Sequence, residues 1–470
     1  MPYSDLRSFL TVLEGKGWLK RITKKVNKDW EIAAVARVVF QDIPEKDRPA
    51  LLFENVEGFD IPVVVGVLGG SRSIYCQVME TTPLLLMQKW KAAISKPIPP
   101  VVVELGLCQE NILLGEKADL LKFPVPIWTA GQDPGPYITS PYVITKDPHT
   151  NARNVGTYRA QIKGARKLAM WVNFLQGGRL NIEAWWALRQ DAPVAIVIGC
   201  DPTVGVASVS KPPQGLDELA VAGGLRGEAL PVVRCRTVDL EVPASAEIVI
   251  EGLIRVDHLE QEGPFGEYSG YMGPVAMSYV VDVTCITHRN KPVFQAFLSQ
   301  MPPSESSLIR GLGWEGALWK HLVEDLRMPI KDIHLLESTG SAGILVISME
   351  KKHDTQPREA ILASWACQPY VGKYSVVVDE DIDIRDLNQV AWALAWRSQP
   401  GKDLFVMDNM QAIQLDPSQA PAEVSQMDPA RRHSAKVGID ATKKHNFPPV
   451  ALPPQQHLEF VRAHWHEYGF

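Results

Sequence analysis

The sequence predicts a multidomain α/β protein, and three observations carry that expectation. At 470 residues the chain is too long for one ordinary core. Helix-spaced and strand-like segments alternate near both ends. Between them runs a long series of short β-branched strands punctuated by Gly and Pro.

In residues 4–15, Leu6, Phe9, Leu10 and Leu13 fall at helical spacing, with Ser4 or Asp5 as the N-cap and Gly15 and Gly17 as the stop. A strand is expected at 18–22, a helix at 30–40, and short apolar strands at 50–53 and 62–68. Lys96-Pro-Ile-Pro-Pro100 cannot continue a helix and closes an α/β region of about 110 residues, 1–110. The middle region, 111–304, has a turn at 131–135 and strands at 137–145, 159–162, 194–199, 232–240, 246–255 and 279–287. That pattern fits a barrel or a sandwich and does not choose between them. In 305–470 an amphipathic helix at 315–326, buried strands at 342–348 and 375–379 and a helix at 387–396 predict a mainly parallel sheet. The tail from about 414, rich in Pro, Ala, Ser and charge, is expected to wrap over a surface or a partner subunit.

Composition narrows the function. Hydrophobic content of 46% and charged content of 22% describe a soluble globular chain. The net charge of −6 comes without a basic block, which argues against nucleic acid as the main partner. No apolar run reaches the roughly 18 residues of a spanning helix, and the first residues lack a signal pattern, so a cytoplasmic location is expected. Six Cys without a CxxC pair imply free thiols.

The chemistry concentrates in two strings. In Glu262-Gly-Pro-Phe-Gly-Glu267 two carboxylates bracket a Pro and two Gly, between two strand patterns, so a stiff loop holds both acids in defined places. The second string is Asn154-Val-Gly-Thr-Tyr-Arg159. Together they resemble the UbiD family of decarboxylases, whose cofactor is prenylated FMN. The resemblance runs along nearly the whole chain, from Asp5-Leu-Arg-Ser-Phe-Leu10 to Asp440-Ala-Thr-Lys-Lys444.

The resemblance implies a split β-barrel of the flavin-reductase type for the middle region, and a catalytic Glu–Arg–Glu network at Glu262, Arg159 and Glu267. Decarboxylation at an unsaturated carbon needs an electron sink that no side chain provides, so the cofactor does that work. Arg159 would pair with the substrate carboxylate through its planar fork. Glu267 would return a proton to carbon, and Glu262 would anchor Arg159. Two carboxylates sharing one arginine can have their proton affinities driven apart.

In this family the flavin phosphate is held with a divalent metal, Mn2+ or Mg2+, and with K+. The matching ligands are Asn154 and Glu218, with Ser208 at the loop that meets the phosphate and Lys373 as a basic candidate. The usual third ligand is a His near 173–178, and none is present. Gln176, Asn173 or water could fill the place, or the metal could be bound more weakly. The substrate pocket would involve Ser307, Arg310 and Trp314. Ser307 and Trp314 stand where members acting on polar rings carry a His and an Arg, which makes the pocket more apolar. The expected partners are an aromatic or heteroaromatic acid, a flavin prenyltransferase as cofactor supplier, and copies of the same chain in a dimer or hexamer. Two other functions fit parts of the pattern: an ordinary FMN oxidoreductase, and a non-catalytic subunit of a carboxylase.

Overall fold

The computed structural model describes residues 3–83, 85–173, 176–210, 215–411, 413, 415–419 and 433–469. Its first helix, Leu6–Gly15, buries Leu6, Phe9, Leu10 and Leu13. Asp5 caps it by accepting from the Ser8 amide at 2.8 Å, and the Ser8 hydroxyl reaches back to the Asp5 amide. Strands Leu19–Ile22, Ala50–Phe53 and Val63–Val65 follow as expected, with the helix Glu31–Asp42 between the first two. A fourth strand, Phe294–Ala296, pairs parallel with Val63–Val65, so the first sheet is completed by residues some 230 positions downstream.

The middle region is a nine-stranded sheet. Its order is Tyr137–Ile138, Ala160–Gly164, Lys167–Met170, Ala276–His288, Ile248–Glu262, Ala192–Ile198, Tyr142–Lys146, Arg153–Thr157, with Asn111–Leu114 also paired to Ala276–His288. Among the described residues this order is open at both ends. Alternate residues of its strands enter different cores: Tyr142, Ala195 and Val197 on one side, Val143, Val194 and Ile196 on the other. Both faces are covered along Tyr142–Lys146, Ala192–Ile198 and the first half of Ile248–Glu262, which explains the continuous apolar runs there. The two longest strands, Ile248–Glu262 and Ala276–His288, form a hairpin whose last pair is Glu262 with Ala276. The expected strand at 232–240 is shorter, Pro231–Arg234, and the chain then turns before Glu241–Pro243.

The C-terminal region corrects three expectations. Its five-stranded sheet, Ile330–Leu335, Ile344–Met349, Tyr374–Asp379, His433–Ala441, Leu404–Gln411, is mixed rather than mainly parallel. Only eight residues join the first two strands, too few for a parallel crossover, so they pair antiparallel. The tail after 414 is not all a wrap: His433–Ala441 lies inside the sheet, between Tyr374–Asp379 and Leu404–Gln411. The helix expected at 315–326 begins ten residues earlier, as Glu305–Trp319 capped by Ser304, and continues as a π-helical stretch over Lys320–Asp325. All six Cys are free.

Candidate active site

Glu262 is the last residue of its strand and is fully buried. Gly263 turns the chain at φ +93°, a left-handed position that glycine suits, and its amide donates to the Tyr137 hydroxyl at 3.1 Å. Arg159 sits between strands Arg153–Thr157 and Ala160–Gly164. Its Nε and Nη2 donate to the two oxygens of Glu262 at 2.9 and 3.1 Å, a two-pronged contact, while Nη1 donates to Glu267. The guanidinium lies 5.0 Å from the ring centres of both Trp171 and Phe265, in a largely dry box. Burial pushes the Glu267 carboxyl above the usual range, against the pull of Arg159. Burial alone would weaken the Arg159 cation, but Glu267 and Glu262 together raise its pKa. Gly273 faces Glu267, where a Cβ would stand 3.2 Å from Oε1. Thr129 and Gln300, which the sequence did not mark, bond to each other at 2.7 Å and pack against Gly266.

A second group gathers around the strand Arg153–Thr157. Asp217 caps the helix Glu218–Arg226, which brings Glu218 to the strand. Glu218 is 8% exposed, and its Oε2 accepts from the Val155 amide at 2.9 Å. Burial raises its pKa to about 7. Arg153 is committed elsewhere, to Asp217 at 2.8 Å and Glu241 at 2.7 Å, and among the described residues no Lys or Arg lies within ion-pair distance of Glu218. The Asn154 amide is 3.2 Å from the Tyr158 hydroxyl, which also accepts from the Gly178 amide at 3.2 Å. A Cβ on Gly177 would stand 1.9 Å from Asn154 Oδ1, so only glycine fits there. Ser208 lies on the helix Pro202–Val209 rather than in a loop, and its hydroxyl is 2.8 Å from that of Thr157. Gln176 is the residue before the helix Gly177–Ala187 and makes no side-chain cap bond. Thr157 and Tyr158 went unmarked although they stand inside the same string as Asn154 and Arg159.

Residues 174 and 175, inside the segment expected to supply the third metal ligand, fall outside the described residues. Among the described residues no three His, Cys, Asp or Glu side chains converge as a metal site. The desolvated Glu218 carboxylate, bonded to the amide of the residue that follows Asn154, makes with the Asn154 amide oxygen a hard oxygen pair that fits Mn2+ or Mg2+.

The remaining candidates divide. The Arg310 guanidinium lies 3.9 Å from the ring centre of Tyr268, next to Glu267 in sequence, and 5.7 Å from that of Trp314. Burial lowers the Arg310 pKa while Tyr268 and Glu267 oppose the shift. Ser307 is fully buried and bonded to Ser304, the cap of its own helix, at 2.8 Å, so it does not line an open pocket. Lys373 pairs with Asp416 at 2.8 Å and with Ser418, and none of its described contacts is with the Asn154–Glu218 group.

Models of three domains of 3-octaprenyl-4-hydroxybenzoate carboxy-lyase match the chain: the N-terminal domain over residues 10–94, the Rift-related domain over 101–302 and the C-terminal domain over 307–441. The UbiD-class enzyme HmfF from Pelotomaculum thermopropionicum, solved with FMN, is 36% identical over 97% of this chain and 99% of its own, with a TM-score of 0.86; an evolved dimeric form was solved with prFMN. Vanillic acid decarboxylase from Sedimentibacter hydroxybenzoicus is 27% identical over 99% of both chains, with a TM-score of 0.83. An uncharacterized protein of Synechocystis sp. is 32% identical over 99% of this chain and 96% of its own.

Proposed function

The chain belongs to the UbiD family of carboxy-lyases, and from that premise we propose that it reversibly removes carbon dioxide from an aromatic or heteroaromatic acid held beside prenylated FMN. The observation that carries this reading is the Arg159 clamp, locked by Glu262 on one side and meeting on the other Glu267, whose proton affinity burial raises.

Arg159 is rigid because Glu262 takes two of its three nitrogens. The face it turns toward Glu267 receives the substrate carboxylate. Glu267, whose proton affinity is raised by burial, holds the proton that returns to carbon after carbon dioxide leaves. Prenylated FMN, when bound, supplies the electron sink. Its phosphate end falls to Asn154, Glu218, Ser208 and the newly marked Thr157, together with Mn2+ or Mg2+ and K+. Gln176 remains available there, while the ion pair of Lys373 with Asp416 argues against a phosphate role for that lysine. Arg310 and Trp314 border the substrate side, next to Tyr268.

The nine-stranded sheet is read as the split barrel of flavin-reductase type. The exposed Leu452, Phe460 and Trp465 support a homo-oligomer, and the described residues contain no helix long and apolar enough to cross a membrane. A cytoplasmic enzyme supplied by a flavin prenyltransferase completes the reading. An ordinary FMN oxidoreductase has no use for the carboxylate clamp, since hydride transfer needs no such group.

The test is a panel of aromatic and heteroaromatic acids given to holoenzyme made alongside a prenyltransferase. Carbon dioxide release and deuterium uptake at the vacated carbon are expected for at least one acid. Neither signal with any acid, in protein shown to carry the prenylated cofactor, would sink the reading.

A further inference from the structure

Glu267 stands in a miniature hairpin, residues 265–273, whose internal bonds give it a shape of its own. The Gly273 amide donates to the Phe265 carbonyl at 2.8 Å, the Glu267 amide to Tyr271 at 2.9 Å and the Gly270 amide to Glu267 at 2.9 Å. Gly266 faces Met272 across it. Those bonds set how the Glu267 side chain leaves the hairpin. They do not set where the hairpin stands against Arg159, which is anchored separately by Glu262.

That placement comes from a floor of two segments. The first is the pair Trp128 and Thr129, whose amides donate to Asp133 Oδ2 at 3.0 and 2.7 Å. The Trp128 ring N–H donates to the Tyr137 carbonyl at 3.1 Å, which roots the pair in the strand Tyr137–Ile138. The second segment is Gln300-Met301-Pro302, where the Met301 carbonyl accepts from Arg37 on the helix Glu31–Asp42. Gln300 Nε2 joins the two segments, donating to the Trp128 carbonyl and, at 2.7 Å, to the Thr129 hydroxyl. The hairpin rests on this floor through two glycines. A Cβ on Gly266 would stand 3.1 Å from Thr129 Oγ1 and 3.4 Å from Gln300 Cγ, and one on Gly270 would stand 2.6 Å from the Met301 sulfur. With no side chain in between, a shift of the floor passes directly to the backbone of residue 266, one position from Glu267.

We propose that Gln300 and Thr129 are positioning residues that hold Glu267 at its working distance from the substrate by fixing the floor under Gly266. The proposal rests on the decarboxylase reading above. Gln300 acts through its bonds to Trp128 and Thr129 and not through the reacting atoms. Losing those bonds should therefore slow the return of the proton, since a misplacement of about 1 Å can cost roughly 100-fold in rate. Substrate and cofactor binding depend on Arg159 and on the Asn154–Glu218 group, which keep their contacts.

The experiment compares wild-type holoenzyme with Q300M, T129V and T129S, on whichever acid of the panel above is turned over fastest. The readouts are kcat, KM, flavin absorbance and deuterium exchange at the vacated carbon of the product. Q300M keeps the bulk of the side chain and loses both bonds, so kcat and exchange should fall together by about tenfold or more, with KM and flavin content within about twofold of wild type. T129V removes the hydroxyl at nearly constant shape and should lose about 3- to 10-fold in kcat, while T129S restores the hydroxyl and should lose less than about twofold. Thermal melts check folding, and the Val–Ser pair decides the matter should Q300M fail to fold. Unchanged kcat in Q300M, a loss that appears in KM or flavin content instead, or equal losses in T129V and T129S overturns the proposal and leaves the decarboxylase reading standing. Wild-type holoenzyme that carries the prenylated cofactor and turns over no acid overturns both.

Discussion

Arg159 gives Glu262 two of its nitrogens and Glu267 only one. The asymmetry separates the two acids: Glu262 is the two-pronged anchor of Arg159, and the Glu267 carboxyl is pushed up by burial. Glu267→Gln should therefore lower turnover by about 10²- to 10⁴-fold, the usual worth of a general acid, with flavin content unchanged. Turnover within a few-fold of wild type would place the proton donor elsewhere.

Arg310 stands close enough to Glu267 to pull its proton affinity down. Removing that cation with Arg310→Leu should raise the Glu267 pKa further. Glu267 must be protonated to act as the acid, so the alkaline limb of the pH–rate profile should move upward. A limb that stays in place, or moves down, would show that Arg310 does not act on Glu267.

Glu218→Gln keeps an acceptor for the Val155 amide but loses the charge, and Asn154→Ala loses the amide oxygen. Both should purify folded by circular dichroism. Each should lose metal affinity by at least the roughly 10- to 100-fold that an outer partner is worth, and carry less flavin by absorbance. Unchanged metal affinity in both would remove this group from the metal site.

Gln176 adjoins Gly177, which touches Asn154. Imidazole prefers manganese to magnesium, so Gln176→His should tighten Mn2+ binding and leave Mg2+ nearly unchanged. If parallel titrations show neither ion affected, residue 176 does not face the metal.

Lys436 is buried, 1% exposed; its ammonium donates to the carbonyls of Pro369 and Val371 and lies 5.7 Å from the Trp365 ring centre, with no carboxylate in ion-pair distance among the described residues. Burial lowers its pKa to about 8. Between about 8 and the unfolded value near 10.5 the unfolded chain binds more protons, so this residue favours folding increasingly as pH rises. Wild type should gain stability relative to Lys436→Met across that window, by up to a few kcal/mol at about 1.4 per unit. A difference in melting temperature that is flat from pH 7 to 10 would contradict the assignment.

The two strings at 154–159 and 262–267 were legible because each packs its candidate residues into six positions; that Arg159 meets both Glu262 and Glu267 is a tertiary contact. The helix Glu305–Trp319 was not. The expected helix covered only its end, from residue 315, and Gly311, Gly313 and Gly316 are poor helix formers, yet two of those glycines are packing sites: a Cβ on Gly316 would strike Met87 at 2.2 Å, and one on Gly311 would meet Ser341 at 2.7 Å. Tertiary contact overrode propensity there. The partner of Lys373 was hidden for a similar reason, since nothing near it in sequence announces Asp416. The place of His433–Ala441 within the C-terminal sheet was hidden too, because both of its neighbours are remote and its composition is polar. Local pattern shows what a segment can become and leaves its neighbours open.

The pairing of Val63–Val65 with Phe294–Ala296 has a consequence for biosynthesis. On a ribosome adding 5–20 residues per second, the strand at 63–65 is complete roughly ten to fifty seconds before its partner exists. During that interval an apolar edge stands open to any other nascent chain or to a chaperone. Translation speed between codons 65 and 296 is thus a variable in the yield of folded protein. For the same reason, a fragment ending near residue 100 would keep that edge bare permanently, so the first region is better expressed with the downstream strand attached.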